Sequence, residues 1–137
     1  MACWLIKSEP DVYPLAQLQA EGQTAWTGVR NPTARINLRA MQPGDDLLYY
    51  HSNLGKAIVG LATVVHPAYP DPTDETGQWV CVDVAYRATF PQPVTLAAVK
   101  ADALLQGMEL VRQSRLSVCP VRQAELDRVL ALSGWEG

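Results

Sequence analysis

The side chains best suited to chemistry lie in one stretch, Trp26 to Ser52, and just before it at Lys7 and Ser8. Trp26 precedes a glycine turn at Gly28; Arg30, Asn31, Arg35 and Arg39 follow, and the stretch closes on Tyr50, His51 and Ser52. An aromatic plane with a few directional polar groups is the set that a nucleobase pocket needs. The ring stacks on the face of the base, and the polar groups hydrogen-bond its edge. Trp26 stands between Thr24 and Gly28 rather than in an apolar run, which suits an exposed aromatic face as well as a place in the core. His51 reads equally as a polar group facing a pocket or as a strand-end residue bonded to backbone.

The arginines are carried by a helix with a well-marked start. Asn31 suits the N-cap, because its side-chain oxygen accepts from free N–H groups of the first turn. Pro32 suits the first helical position, where no N–H is needed. Ala34, Leu38 and Met41 share one face at helical spacing, and Arg35 and Arg39 fall four apart on a neighbouring one. Pro43-Gly44 stops the helix. Its N-terminus beside Arg30 and Arg35 offers a phosphate site; the alternative is a capped surface helix with solvated arginines.

Catalytic and metal chemistry find little support. His51 and His66 are the only histidines, and neither has a partner at metal-ligand spacing. No serine sits in a nucleophile-elbow pattern. Gly55-Lys56 lacks the rest of a phosphate-binding loop. Neither a cofactor nor a catalytic set is implied.

The chain has 137 residues, 48% of them hydrophobic, enough for one domain spanning 1–137 with a core of its own. The net charge of -3 argues against a bulk nucleic-acid coater, so a role with nucleic acid must depend on a specific pocket. The basic residues are nonetheless uneven, with a second group at Arg112, Arg115 and Arg122. No apolar run approaches the ~20 residues that span a bilayer. Cys3, Cys81 and Cys119 are far apart and odd in number, which reads as reduced, buried thiols in a cytoplasmic protein.

Around the central stretch the pattern predicts strands at Cys3–Lys7, Thr24–Thr27, Asp46–Ser52, Ala57–Val65, Trp79–Thr89 and Leu116–Val121. Short helices are expected at Leu15–Gln19, from Thr95 through Lys100, and at Gln123–Leu132, with a further turn near Ala103–Gln106. His66–Gly77 reads as a loop rich in proline and aspartate, and Pro91 and Pro93 as chain breaks. Gly60 inside a β-branched run marks a bulge or a close backbone approach. Six strands with short helices between them predict an α+β fold, a small mixed β-barrel.

Several motifs together resemble the EVE domain family. They are Trp4-Leu5-Ile6-Lys7-Ser8-Glu9-Pro10, Trp26-Thr27-Gly28-Val29-Arg30-Asn31, Ala34-Arg35, Leu38-Arg39-Ala40-Met41, Tyr50-His51-Ser52-Asn53, Tyr69-Pro70-Asp71 and Arg115-Leu116-Ser117-Val118. The resemblance spans nearly the whole chain, and the family includes bacterial members. It implies a PUA-like barrel, similar to YTH-type readers of methylated adenine, and a non-catalytic module that recognises a modified base in DNA or RNA. By that analogy Trp26 is the stacking wall. Lys7, Ser8, Asn31, His51 and Ser52 line or support the pocket, and Arg30, Arg35 and Arg39 meet phosphates. Two positions depart from the family pattern: Thr27 stands where members commonly carry Asp, and Ile36 where they carry Asn. An RNA-binding module acting on structured RNA, or an enzyme acting on a nucleotide-like ligand, are the alternative readings.

Overall fold

The computed structural model describes residues 2–137. In chain order the elements are β1 (Cys3–Ser8), α1 (Leu15–Glu21), β2 (Gln23–Ala25), α2 (Pro32–Ala40), β3 (Asp46–His51), β4 (Ala57–Pro70), β5 (Val80–Thr95), α3 (Leu96–Ala101), α4 (Glu109–Arg112), β6 (Val118–Val121) and α5 (Gln123–Ser133). The strands form one sheet in the order β2-β5-β4-β3-β1-β6. Among the described residues only β1 and β3 pair in parallel. Parallel neighbours need a crossover, and α1, β2 and α2 supply it. The α+β, PUA-like expectation holds, with a refinement: the sheet is open, and the edge strands β2 and β6 do not pair with each other among the described residues.

The helix starts follow from their caps. Asn31 Oδ1 accepts from Ala34 N at 2.9 Å with Pro32 at the first position, and Thr95 Oγ1 accepts from Ala98 N at 3.1 Å. Leu38 and Met41 then turn into the core beside Leu5, Ile6, Leu47, Leu48 and Leu61, all at most 1% exposed. A buried carboxylate, Asp45, ties the start of β3 to β1 by accepting from Trp4 Nε1 at 3.0 Å, Ala2 N at 3.2 Å and Gln42 N at 2.9 Å. No helix among the described residues is long and apolar enough to cross a membrane.

Two expectations about the long hairpin are corrected. The His66–Gly77 loop is shorter than expected, because β4 continues to Pro70 and stays paired with β5 as far as Pro70 with Val80. Pro67 is absorbed where the register slips between His66 and Tyr69. Nor do Pro91 and Pro93 break β5. The register slips between the pairs Gly60–Thr89 and Ile58–Val94, so the prolines fall in a bulge where no ladder N–H is required. The short α4 had no periodic signal at all, being only four residues long.

Gly60 sits at that slip, and it meets both readings of its sequence position. A Cβ there would lie 2.3 Å from the Ala88 carbonyl oxygen and 2.4 Å from Leu15 Cδ2. The leucine can move, but the strand carbonyl cannot. Gly60→Ala should therefore destabilise the protein by about 1–3 kcal/mol, the usual cost of overpacking. Urea unfolding measures this, and a variant as stable as the parent would contradict the packing described.

Candidate functional site

β1 and β3 end side by side, with Lys7 beside Tyr50 and Ser8 beside His51. Successive side chains of a strand point to opposite faces, so these two pairs look in opposite directions. The strand ends therefore separate two different surfaces.

One surface is aromatic. Tyr13, Trp26, Tyr49 and His51 form a chain of edge-to-face contacts, with centroid separations of 5.9, 5.6 and 5.8 Å and interplanar angles of 78–82°. Edge-to-face rings at such separations attract through their quadrupoles. Tyr49 Oη donates to the Tyr13 carbonyl at 2.6 Å, which holds the 9–14 segment against the sheet. Burial pushes the Tyr49 phenol pKa well up, so the hydroxyl remains a donor. Beside the ring chain a cleft of about 280 Å³ is lined by Val12, Tyr13, Thr24, Ala25, Trp26 and Thr27. Trp26 is only 9% exposed, so of the two places its sequence position suits it takes the core one, its ring a wall set into the core.

His51 belongs to this surface and settles between its two readings. Its Nε2 accepts from Leu15 N at 3.1 Å, one of the unpaired donors at the start of α1. It is a backbone-bonded strand-end residue. Accepting requires an unprotonated Nε2, and burial lowers its pKa. Ser8 Oγ, on the same side, donates to the Glu9 carbonyl at 3.5 Å.

The other surface is cationic. Lys7 Nζ donates to the Ser114 carbonyl at 2.9 Å and lies 5.8 Å from the Tyr50 ring centroid. Burial lowers the Lys7 pKa. Ser52 lines the same groove, with Lys56. Asn31 lines a neighbouring cleft with Thr33 and Arg115. Thus the six residues expected around one base divide between two surfaces: Trp26, Ser8 and His51 on the aromatic one, and Lys7, Ser52 and Asn31 on the cationic one.

The arginines have internal work. Arg30 Nη1 donates to Asp71 Oδ2 at 3.0 Å and Nη2 to Thr73 Oγ1 at 3.0 Å. Arg35 donates to the Gln78 carbonyl at 2.9 Å, and its guanidinium lies 4.5 Å from the Trp79 ring centroid. Both fasten the 71–79 loop to the start of α2. Arg39 is exposed in the last turn of that helix.

Sequence reasoning did not assign Asp71 or Tyr13 to the site. The Asp71 side chain is fully buried and accepts from Gly28 N at 2.8 Å, Arg30, Thr73 N at 2.7 Å and Thr73 Oγ1 at 2.6 Å. Burial alone would raise its pKa, but hydrogen bonds from Thr73, Gly28 and Arg30 outweigh it and hold the carboxyl at about 2. A signal was present: Asp71-Pro-Thr73 and Asp74-Glu-Thr76 repeat the spacing of an Asx turn, and both form it.

The chain matches the EVE domain over residues 2–132. It belongs to the EVE domain family. Thymocyte nuclear protein 1 from Homo sapiens is 33% identical over 94% of the chain and 72% of the relative. A protein of Rhodopseudomonas palustris, known by NMR, is 50% identical with a TM-score of 0.93, covering 98% of this chain and 94% of that one. The crystal structure of human THYN1 in complex with 5-methylcytosine-containing DNA superposes with a TM-score of 0.92 at 33% identity, with both chains covered in full. This EVE domain therefore shares the scaffold of a protein seen with modified DNA.

The His51 bond gives the domain a measurable acid response. A histidine whose folded pKa lies below its unfolded value of about 6.5 binds its proton first in the unfolded chain. Its contribution is complete above that value and is lost as pH falls through the lower folded pKa. Unfolding free energy should therefore drop as the pH falls below about 6.5. His51→Gln, which can still accept from Leu15 N and does not titrate, should flatten part of that drop. Identical pH slopes in both proteins would contradict the bond.

Proposed function

We propose that this EVE domain is a non-catalytic nucleic-acid-binding module that takes one modified base, of the 5-methylcytosine class, into the cleft beside Trp26. The carrying observation is that cleft, walled by Tyr13 and Trp26, on a scaffold that human THYN1 shares in its complex with 5-methylcytosine-containing DNA. A base in a duplex reaches such a cleft only by leaving the stack. Val12 and Ala25 offer apolar contact to a methyl group, as apolar side chains do for the thymine methyl. The Thr24 and Thr27 hydroxyls can donate to or accept from the base edge. Ser8 and His51 support the cleft from behind, and Lys7, Ser52 and Asn31 act on the opposite surface. Of the three arginines, exposed Arg39 is the one whose guanidinium is offered to a phosphate, whereas Arg30 and Arg35 serve by anchoring the loop.

A binding rather than a catalytic role is supported by the state of the reactive groups. His51 Nε2 is occupied by Leu15 N, so its lone pair is already taken up by a backbone donor. Burial pushes the Cys3 thiol up to about 12 and the Cys119 thiol to about 11, so neither is a thiolate nucleophile near neutrality. All three cysteines are free and buried, which suits a reducing compartment such as the cytoplasm.

Because Trp26 packs in the core, Trp26→Ala should cost about 3–5 kcal/mol of stability and cannot isolate binding. Val12 is 68% exposed at the rim, and Val12→Asp should leave stability within about 0.5 kcal/mol. It should weaken binding of a 5-methylcytosine oligomer about tenfold, or 1.4 kcal/mol, in fluorescence anisotropy. Trp26→Phe should fold and lose part of the preference for the methylated oligomer. Two folded variants with affinity and preference unchanged would contradict the assignment.

A further inference from the structure

The cationic surface is longer than the part beside Lys7. Three clefts of about 340, 190 and 350 Å³ adjoin through shared lining residues. Ser114 belongs to the first and second, and Lys56 and Leu96 to the second and third. Arg115, Lys7, Lys56 and Lys100 line this continuous groove, and no aspartate or glutamate does. The chain carries 14 acidic residues against 11 basic ones, so an arbitrary strip of its surface would favour the opposite sign.

The remaining polar lining is neutral. Besides Tyr50 and Gln113 it consists of Asn31, Thr33, Ser52, Asn53, Ser114 and Thr95, short groups that can donate to an oxygen. The turn in the middle of the groove is also held in an unusual backbone geometry. Asn53 and Lys56, with φ of 68° and 32°, are the non-glycine residues with positive φ among the described residues. The Lys56 carbonyl is fixed by Leu96 N at 2.8 Å. Such geometry persists where surrounding structure over-determines it, and it recurs in ligand clamps.

We infer that this groove is the track of the sugar–phosphate backbone of the nucleic acid whose modified base enters the Trp26 cleft. The inference rests on the base-binding reading and deepens it. Lysines, arginines and short hydroxyl or amide donors are what phosphate oxygens take from proteins, and they set position rather than sequence. The β1 and β3 ends, where Ser8 and His51 face the aromatic surface and Lys7 and Tyr50 the groove, stand between the two parts.

The test uses the full chain, 5-methylcytosine and cytosine duplex oligomers, and anisotropy from about 50 to 200 mM salt. Lys56→Gln, Lys100→Gln and Arg115→Gln should each lower the slope of log affinity against log salt by about 0.9, and the triple variant by nearly three times as much. Affinity should fall alike for both oligomers, so the preference for methylation survives. The charge-keeping triple, Lys56→Arg with Lys100→Arg and Arg115→Lys, should restore the slope. Should the neutral triple variant fail to fold, the single variants carry the same reading. A folded neutral triple with parental affinity and slope would overturn the groove while leaving the base cleft standing; that is also the outcome if the groove serves an acidic protein partner. A parent protein that binds neither oligomer would overturn both.

Discussion

The carboxylate of Asp71 keeps its charge where water does not reach it. Such a charge is tolerable only if its oxygens are filled by donors, and here Gly28, Arg30 and Thr73 fill them. Those donors come from two loops far apart in sequence. Binding the same carboxylate locks the 26–30 segment to the 71–79 loop. Gly28 can present its N–H there because it adopts φ of 85°, a conformation that a side chain would oppose. Trp26, two residues earlier, is held by its own N–H to the Val82 carbonyl at 2.8 Å. The wall of the cleft is therefore fixed at both ends, by a sheet bond and by a buried charge.

From Trp26 the constraint passes inward. The tryptophan meets Tyr49, Tyr49 meets His51, and the Tyr49 hydroxyl and His51 ring hold the Tyr13 and Leu15 backbones. Four rings thus connect the cleft to β3 and to the start of α1. A cleft built this way is pre-organised, so binding a base need not order its walls first. The cost is that its aromatic wall serves stability as well as recognition, and core truncations here confuse the two.

Much of this was legible in the sequence, for local reasons. The Asn31-Pro32 cap and the face shared by Ala34, Leu38 and Met41 each express a rule acting within a few residues. Gly60 was flagged by its type alone, and the structure supplies the carbonyl it must admit. What escaped depends on contacts between distant segments. Pro91 and Pro93 look like breaks until the register of β4 shows that no N–H is wanted there. Arg30 and Arg35 look free until the 71–79 loop folds over them. The motif residues Lys7 and Ser8 are adjacent in sequence and so seem to share a pocket, but a strand turns neighbours to opposite faces. That single geometric fact divides the expected site in two.

The claim on which the account turns is that one modified base sits in the cleft that Tyr13 and Trp26 help to wall. An oligomer carrying 5-methylcytosine with a ¹³C-labelled methyl group tests it by NMR. Bound to the protein, the methyl should shift upfield in the ring currents of the two aromatics and show NOEs to Val12, Tyr13 and Trp26 protons. A methyl signal at its free-duplex position, or one with NOEs only to Lys7 and Tyr50 on the opposite surface, would contradict it.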